Sequence, residues 1–182
     1  MLALLVVDVQ NEFSEGGLRA VANHAEAVAK IGYWVSEARA KKVPIAWVQH
    51  HNRPTESQAF VPGSWGAELS TGMGPNEGFG KETLFTKDVY GAFTGTGLEE
   101  WLRSLGVTKL LIVGFFAHMC VSTSTREALV RGFEVFIDPA ATGARDLEDD
   151  VLGMQTAEEV CRTAFLQLLN MGAHLAVGGV IE

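Results

Sequence analysis

Three ionisable residues lie at the ends of predicted elements and could together activate a sulfur nucleophile. Asp8 closes the apolar run LALLVVD, Lys87 ends the run TLFTK, and Cys120 lies between the run KLLIVG and a predicted helix. A carboxylate beside a thiol can accept its proton, and an ammonium group can balance the charge of the thiolate. The chemistry these residues could support is therefore nucleophilic attack by sulfur on an electrophilic carbon.

Each of these residues taken alone also has an ordinary structural explanation. A carboxylate at a strand end is often a turn or cap residue, a lysine is usually solvated, and a lone cysteine often behaves as a small buried apolar side chain. The position of Cys120 favours a functional role, because helix N-terminal amides and the macrodipole lower the pKa of a thiol. The same amides could hold a developing oxyanion. Cys161, in AEEVCRTAFLQLL, lies in the middle of a predicted helix on a buried stripe and is expected to be a core residue.

Apolar runs typical of buried strands alternate along the chain with segments of helical period. The predicted order is β-α-β-β-α-β-α-β-α-β. Helices are predicted after Asn23, Thr96 and Thr156, because each of these residues is followed three positions later by a glutamate, the spacing of a capping box.

This alternation predicts an α/β fold with right-handed crossovers. We expect a doubly wound three-layer αβα sandwich with a mostly parallel sheet of about six strands. Ligands of such folds bind beyond the carboxyl ends of the strands. The fold would therefore bring Asp8, Lys87 and Cys120 to one edge of the sheet.

Residues 62–80, PGSWGAELSTGMGPNEGFG, interrupt the pattern with six glycines and two prolines. A loop of this length inside a compact domain is usually functional or disordered. We expect this glycine-rich loop to be either a lid over the site or a contact with a neighbouring subunit.

The composition indicates one globular domain over residues 1–182. A net charge of -8 without long basic runs argues against nucleic-acid or membrane partners. The apolar N-terminus lacks a basic region and meets Asp8 early, which predicts a strand and not a signal peptide. No apolar run reaches the roughly 20 residues of a membrane-spanning helix. Two cysteines at neither metal-site nor disulfide spacing suit a reducing compartment, so we expect a cytoplasmic protein.

Three separated motifs resemble one known family. LLVVDVQNEF around Asp8, KDVYGAF at Lys87 and VGFFAHMCVSTSTREA around Cys120 resemble, in order and spacing, the isochorismatase-like cysteine hydrolase superfamily. That superfamily includes nicotinamidases, N-carbamoylsarcosine amidohydrolases and related amidases. The resemblance covers essentially the whole chain.

The resemblance implies a catalytic triad of Asp8, Lys87 and Cys120. Cys120 would attack a carbonyl carbon, Asp8 would accept the thiol proton and pass it to the leaving amine, and Lys87 would stabilise the charge. Water would then hydrolyse the thioester. The resemblance also implies a cis peptide bond between Phe115 and Phe116, and an oxyanion hole formed by the N–H groups of Phe116 and Cys120.

The histidines after the second predicted strand differ from the metal site of nicotinamidases. Those relatives place Asp-x-His and further histidines there, whereas this chain has VQHHN, with Gln49 in place of the carboxylate. Two histidines without a carboxylate make a poor site for zinc or iron. We therefore expect no metal and no cofactor, with His50 and His51 at the pocket rim or on the surface.

Isochorismatases that cleave the vinyl ether of a dianionic substrate would need arginines near the crevice, and Arg53 is the only candidate identified from the sequence. Ala117 and His118 replace polar residues common in relatives. A threonine at the position of Ala117 can hydrogen-bond across the nucleophile loop, so its absence puts the support of that loop in doubt.

Aromatic residues in loops near the motifs predict a pocket for neutral, partly apolar ligands. The expected substrate-binding residues are Phe13, Trp65, Tyr90 and Phe116, whereas Trp47 lies within a strand and is expected in the core.

The leading hypothesis is a metal-independent cysteine hydrolase that cleaves a C–N bond in a small amide, cyclic amide or carbamoyl compound. The alternatives are an isochorismatase-type hydrolase acting on a vinyl ether without covalent catalysis, and a silent binding or scaffold protein. The resemblance also implies a homodimer or homotetramer.

Overall fold

A computed structural model describes residues 1–53, 55–177 and 180–181, and its centre is a parallel six-stranded sheet. The strands of this sheet are β1 (Leu2–Val7), β2 (Ile45–His50), β3 (Glu82–Lys87), β4 (Lys109–Phe115), β5 (Glu134–Gly143) and β8 (His174–Leu175). The strand order is β3-β2-β1-β4-β5-β8, and every neighbouring pair is parallel. The helices are α1 (His24–Ala40), α2 (Leu98–Ser104), α3 (Ser122–Val130) and α4 (Ala157–Asn170).

Helices cover both faces of the sheet. The apolar side of α1 packs with Leu4 and Val6 on one face, and α2, α3 and α4 pack with Leu5 and Ile112 on the other. Because alternate side chains of β1 enter opposite cores, its sequence is apolar without interruption. The predicted three-layer sandwich with about six mostly parallel strands is confirmed.

Only one of the three predicted capping boxes forms. The Thr156 hydroxyl accepts from the backbone of α4, and the reciprocal glutamate contact is present. Asn23 makes no cap, because its side-chain amide donates to the carbonyl of Thr142 at 3.1 Å. Helix α2 begins after Gly97, which has φ 72°, and the Thr96 hydroxyl donates to a carbonyl in the preceding loop. At the other two helices, tertiary and loop contacts therefore take the place of the capping boxes that the sequence spacing predicted.

A hairpin between β5 and α4 was not predicted from the sequence. Its antiparallel strands are β6 (Leu147–Asp149) and β7 (Gly153–Gln155). The turn exposes Val151 and Leu152 to solvent. No helix in the described part of the chain combines the length and hydropathy needed to cross a membrane.

Gly114 allows the two central strands to approach closely where β1 ends. It pairs with Val7, has φ 121°, and a Cβ atom at this position would lie 1.9 Å from the Val7 carbonyl oxygen. No L-side chain fits there without moving a strand. This contact brings the end of β4 next to the residue that follows β1, which is Asp8.

Candidate active site

Asp8, Lys87 and Cys120 meet at the carboxyl end of the sheet. Asp8 directly follows β1, Lys87 ends β3, and Cys120 lies in a π-helical turn, Ala117–Val121, after β4. The Lys87 Nζ lies 2.7 Å from Asp8 Oδ2 and 3.3 Å from Cys120 Sγ. The side chains of Asp8 and Lys87 have no solvent exposure. A buried ammonium group therefore lies in contact with both a carboxylate and a thiol.

The Lys87 ammonium has two further neighbours, the Val89 carbonyl oxygen at 3.1 Å and the His50 Nδ1 at 3.2 Å. Burial acts to lower the pKa of Lys87, but the charge of Asp8 and the interaction with Cys120 outweigh it and raise that pKa above its usual value. Lys87 therefore stays charged at neutral pH.

Cys120 is a protonated thiol at rest. Burial first, and then the charge of Asp8, raise the pKa of Cys120 well above its usual value, and Lys87 only partly opposes them. The expectation of a lowered thiol pKa at a helix start is wrong, because Cys120 is buried and is the fourth residue of the π-helical turn. Asp8 Oδ1 accepts no hydrogen bond from the described residues. It is therefore available to receive the thiol proton.

The ring of His50 is held by protein contacts at both nitrogens. Nδ1 faces the Lys87 ammonium, which has no lone pair, so Nδ1 accepts and Nε2 donates to the Asn52 side-chain oxygen at 2.8 Å. Burial and the charge of Lys87 lower the pKa of His50, so its ring is neutral. The Gln49 side chain donates to a backbone carbonyl. The described residues include no group of three His, Cys, Asp or Glu side chains placed to hold a metal ion.

A cavity of about 360 Å³ opens beside the triad and is lined by Asp8 and Cys120. Of the four predicted substrate-binding residues, Phe13, Phe116 and Tyr90 line it. The rings of Phe13 and Phe116 meet edge to face with centroids 4.8 Å apart. Trp65 is not among the lining residues; it is 52% exposed.

Several lining residues were missed by the sequence reasoning. Residues 62–80 do not line the cavity, whereas Asn52, Glu56, Ser57 and Phe60 do. Arg53, the one arginine considered, points away into an exposed ion pair with Asp88 at 2.7 Å. Arg145 could have been found from its place after β5, but the predicted strand ended too early. The missed lining residues are Arg19, Asn52, Glu56, Ser57, Phe60, Met119 and Arg145.

Two residues of the DVQNEF motif hold the loops around the cavity. The buried Gln10 amide donates to the carbonyls of His50 and Ala67, and its oxygen accepts from the His50 N–H at 2.8 Å. The Glu12 carboxylate, 4% exposed, accepts from the Phe60 N–H at 3.1 Å. These contacts tie Phe60, Ala67 and the end of β2 to the loop that follows β1.

The peptide bond between Phe115 and Phe116 is cis, as the resemblance implied. Ala117 is fully buried and packs in the core, so a methyl group fills the position where relatives often carry threonine. The His118 ring stacks on Phe116 with centroids 5.2 Å apart. Burial and the nearby charge of Arg145 lower the pKa of His118.

The sequence model of the isochorismatase domain matches residues 2–166, a segment that includes the whole triad. The chain belongs to the isochorismatase family. It is 35% identical over 144 residues to a secreted isochorismatase effector of Verticillium dahliae, covering 79% of this chain and 73% of that protein. It is 30% identical over 190 residues to the nicotinamidase/pyrazinamidase of Mycobacterium tuberculosis, covering 93% of this chain and 98% of that protein.

A crystal structure of an isochorismatase from Pseudomonas putida superposes with a TM-score of 0.86 and 30% identity, over 96% of this chain and 87% of that one. The superfamily inferred from the motifs is therefore confirmed, and the chain is an isochorismatase-family hydrolase with a fold shared along its length.

Proposed function

We propose that the protein is a cysteine hydrolase that cleaves a C–N bond of a small amide, cyclic amide or carbamoyl compound through a thioester, without a metal ion. The observation that carries the proposal is the buried Lys87 ammonium in contact with both the Asp8 carboxylate and the Cys120 thiol. A scaffold protein gains nothing from this arrangement, because burying charged groups costs free energy. Amide hydrolysis also agrees with the name of the mycobacterial relative, a nicotinamidase/pyrazinamidase.

The first half of the reaction forms a thioester. Cys120 Sγ attacks the carbonyl carbon as its proton moves to Asp8, and the carbonyl electrons move to the oxygen, where the N–H groups of Phe116 and Cys120 would bind the oxyanion. The C–N bond then breaks, and the proton on Asp8 passes to the departing amine. Because the resting thiol is protonated, transfer to Asp8 must accompany the attack.

The second half consumes one water molecule. Asp8 takes a proton from water as the oxygen attacks the thioester carbon, and the C–S bond breaks. Proton return to sulfur restores the thiol, so that amide and water give a carboxylic acid and an amine. Lys87 keeps its charge throughout and stabilises each anionic state beside it.

Engagement of both His50 ring nitrogens supports the metal-independent form of the proposal. A metal ion bound by that ring would have to break its contact with either Lys87 or Asn52. Activity that survives prolonged dialysis against a chelator is the expected result. Loss of activity that zinc or iron restores would contradict the metal-independent form.

One observation favours a second candidate, hydrolysis of a vinyl ether in a dianionic substrate. The two cavity arginines, Arg19 and Arg145, provide the basic pocket that such a substrate requires. This candidate uses Asp8 without a covalent intermediate, so it predicts that no thioester accumulates.

The test combines a panel of small amides and carbamoyl compounds with mass spectrometry of the quenched enzyme. We expect an acyl mass on the Cys120 peptide during turnover and loss of at least about 10⁴ in kcat for Cys120→Ala. Cys161→Ala is the matched control and should retain activity, because Cys161 lies outside the cavity. Full turnover by Cys120→Ala would refute the covalent mechanism. If no amide in the panel were hydrolysed and no acyl mass appeared on Cys120, the scaffold alternative would be favoured.

A further inference from the structure

Two arginine side chains line the cavity without an ion pair or hydrogen bond to any residue that the structure describes. Arg19 lies in the loop between Phe13 and α1, and Arg145 follows β5. Within the described ranges, neither guanidinium has a carboxylate within 4.0 Å. By contrast, Arg39 and Arg131 each form an ion pair with a glutamate. The charge of Arg19 and Arg145 is therefore available to a ligand.

The charges around the cavity are not evenly distributed. Arg145 lies near His118, whose ring stacks on Phe116, and its charge contributes to the lowered pKa of His118. Glu56 also lines the cavity, and its charge favours the protonated form of His50. The cavity therefore has a positive region near Phe116 and an acidic group near His50.

The triad does not cancel the positive region. Asp8 and Lys87 form a buried ion pair and neutralise each other, and Cys120 is an uncharged thiol at rest. Among the described residues, the remaining charged groups of the lining are two arginines and one glutamate. The wall thus has an excess of positive charge, although the chain as a whole has a net charge of -8.

We infer that this cavity binds an amide or carbamoyl compound whose non-reacting part carries a carboxylate, with Arg19 and Arg145 as the carboxylate-binding residues. The inference rests on the proposed function, since the scissile carbonyl lies at Cys120. A guanidinium offers paired N–H donors that match a carboxylate, and such charge-assisted hydrogen bonds are stronger than neutral ones. Phe13 and Phe116 would pack against the spacer between carboxylate and amide. Hydrolysis consumes one water molecule. An amide with the carboxylate on its acyl side yields a dicarboxylic acid and an amine, whereas a carbamoyl compound yields an amine that keeps the carboxylate and a carbamic acid that decomposes to ammonia and carbon dioxide.

This substrate class replaces the neutral ligand expected from the sequence. That expectation counted aromatic residues and treated Arg53 as the only nearby cation, whereas Arg53 is paired on the surface. A cavity of about 360 Å³ accommodates a compound of this size.

The test measures binding separately from chemistry. Calorimetric titration of the Cys120→Ala variant would compare anionic amides with neutral partners of similar shape, namely succinamate with butyramide and phthalamate with benzamide. We expect the anionic member to bind at least about tenfold more tightly, the difference that one charged hydrogen bond supplies. That preference should weaken as salt increases.

Arginine substitutions in the same background assign the effect. Arg19→Ala and Arg145→Ala should each weaken succinamate binding by about tenfold and leave butyramide binding unchanged. Arg162→Ala is the matched control: Arg162 is an exposed arginine of α4 outside this cavity, and its loss should change neither affinity.

Equal affinity for anionic and neutral probes, or no detectable binding of any probe, would overturn the inference. A preference for anions that both arginine variants retain would also overturn it.

Turnover by the wild-type protein separates failure of this inference from failure of the proposed function. Hydrolysis of neutral amides without a preference for anions refutes only the carboxylate site. Arginine-dependent binding of anions without hydrolysis or acyl-enzyme refutes only the proposed hydrolase mechanism.

Discussion

Asp8→Asn should make Cys120 more reactive toward alkylation and at the same time abolish turnover. In the wild-type protein, burial and the Asp8 carboxylate keep the Cys120 thiol protonated, against the effect of Lys87 at 3.3 Å. Without the carboxylate, the buried Lys87 ammonium loses its counter-ion. The thiolate is then the group best placed to balance it, while the base required for catalysis is absent.

The magnitude follows from Coulomb's law for two neighbouring charges. A unit charge about 4 Å away contributes about 4 kcal/mol at an effective dielectric constant of about 20. Because about 1.4 kcal/mol corresponds to a factor of ten, the thiolate fraction could rise by up to about a thousandfold. Partial deprotonation of Lys87 would reduce this gain, so we expect an increase of at least about tenfold in the rate of alkylation.

The assay is time-resolved mass spectrometry of the iodoacetamide-modified Cys120 peptide at neutral pH. The Cys161 peptide is the internal control, because burial raises the pKa of Cys161 to about 11 in a region remote from the triad. Lys87→Met should have the opposite effect and slow the alkylation of Cys120. If folded Asp8→Asn were alkylated no faster than wild type, the carboxylate would not be what keeps the thiol protonated.

Three further predictions concern stability and substrate affinity. Lys87→Met leaves the Asp8 carboxylate buried without its ammonium partner and should lower the free energy of unfolding in urea by about 3–5 kcal/mol. Addition of Asp8→Asn should restore part of that loss. The pKa of Lys87 is raised above its ordinary 10.5, so the difference in the free energy of unfolding between wild type and this double variant should stay constant from neutral pH up to that value and decrease at higher pH. A decrease that begins below pH 9 would contradict this. Gly114→Ala should destabilise the protein by about 3 kcal/mol or more, because the added methyl group clashes with a carbonyl of β1 and the residue has φ 121°. An unchanged midpoint of urea unfolding would show that the strands can separate without cost. Tyr90→Ala should raise KM about fivefold whereas Trp65→Ala should leave it within about twofold, because of these two residues Tyr90 lines the cavity and Trp65 does not, and covering part of a ring is worth about 1 kcal/mol. A larger effect of Trp65→Ala than of Tyr90→Ala would place the substrate elsewhere.

The sequence predicted the sheet and the meeting of the triad because both depend on local patterns and one topological rule. Strands β1 and β4 are buried on both faces, so their apolar runs are unambiguous. Parallel strands place their carboxyl ends on one edge, which brings Asp8, Lys87 and Cys120 together without knowledge of loop geometry.

The features that the sequence did not predict depend on contacts between distant segments. Asn23 binds a carbonyl of β5 and not its own helix, and a capping pattern carries no information about that partner. The raised pKa of Cys120 comes from burial by several elements. Arg145 reaches the cavity because β5 continues to Gly143, beyond a proline that normally ends a strand. The homodimer or homotetramer and the cytoplasmic location remain predictions.

The position of β3 has a consequence for how the enzyme loses activity on heating. Asp8 and Cys120 are held by the two central strands, β1 and β4, but Lys87 is carried by β3, which lies at the edge of the sheet. Edge elements open locally at a lower free energy than the centre of a fold. Separation of β3 would withdraw the ammonium from an otherwise intact core. Activity would then be lost when β3 separates from the sheet, at a temperature several degrees below the Tm of the whole molecule.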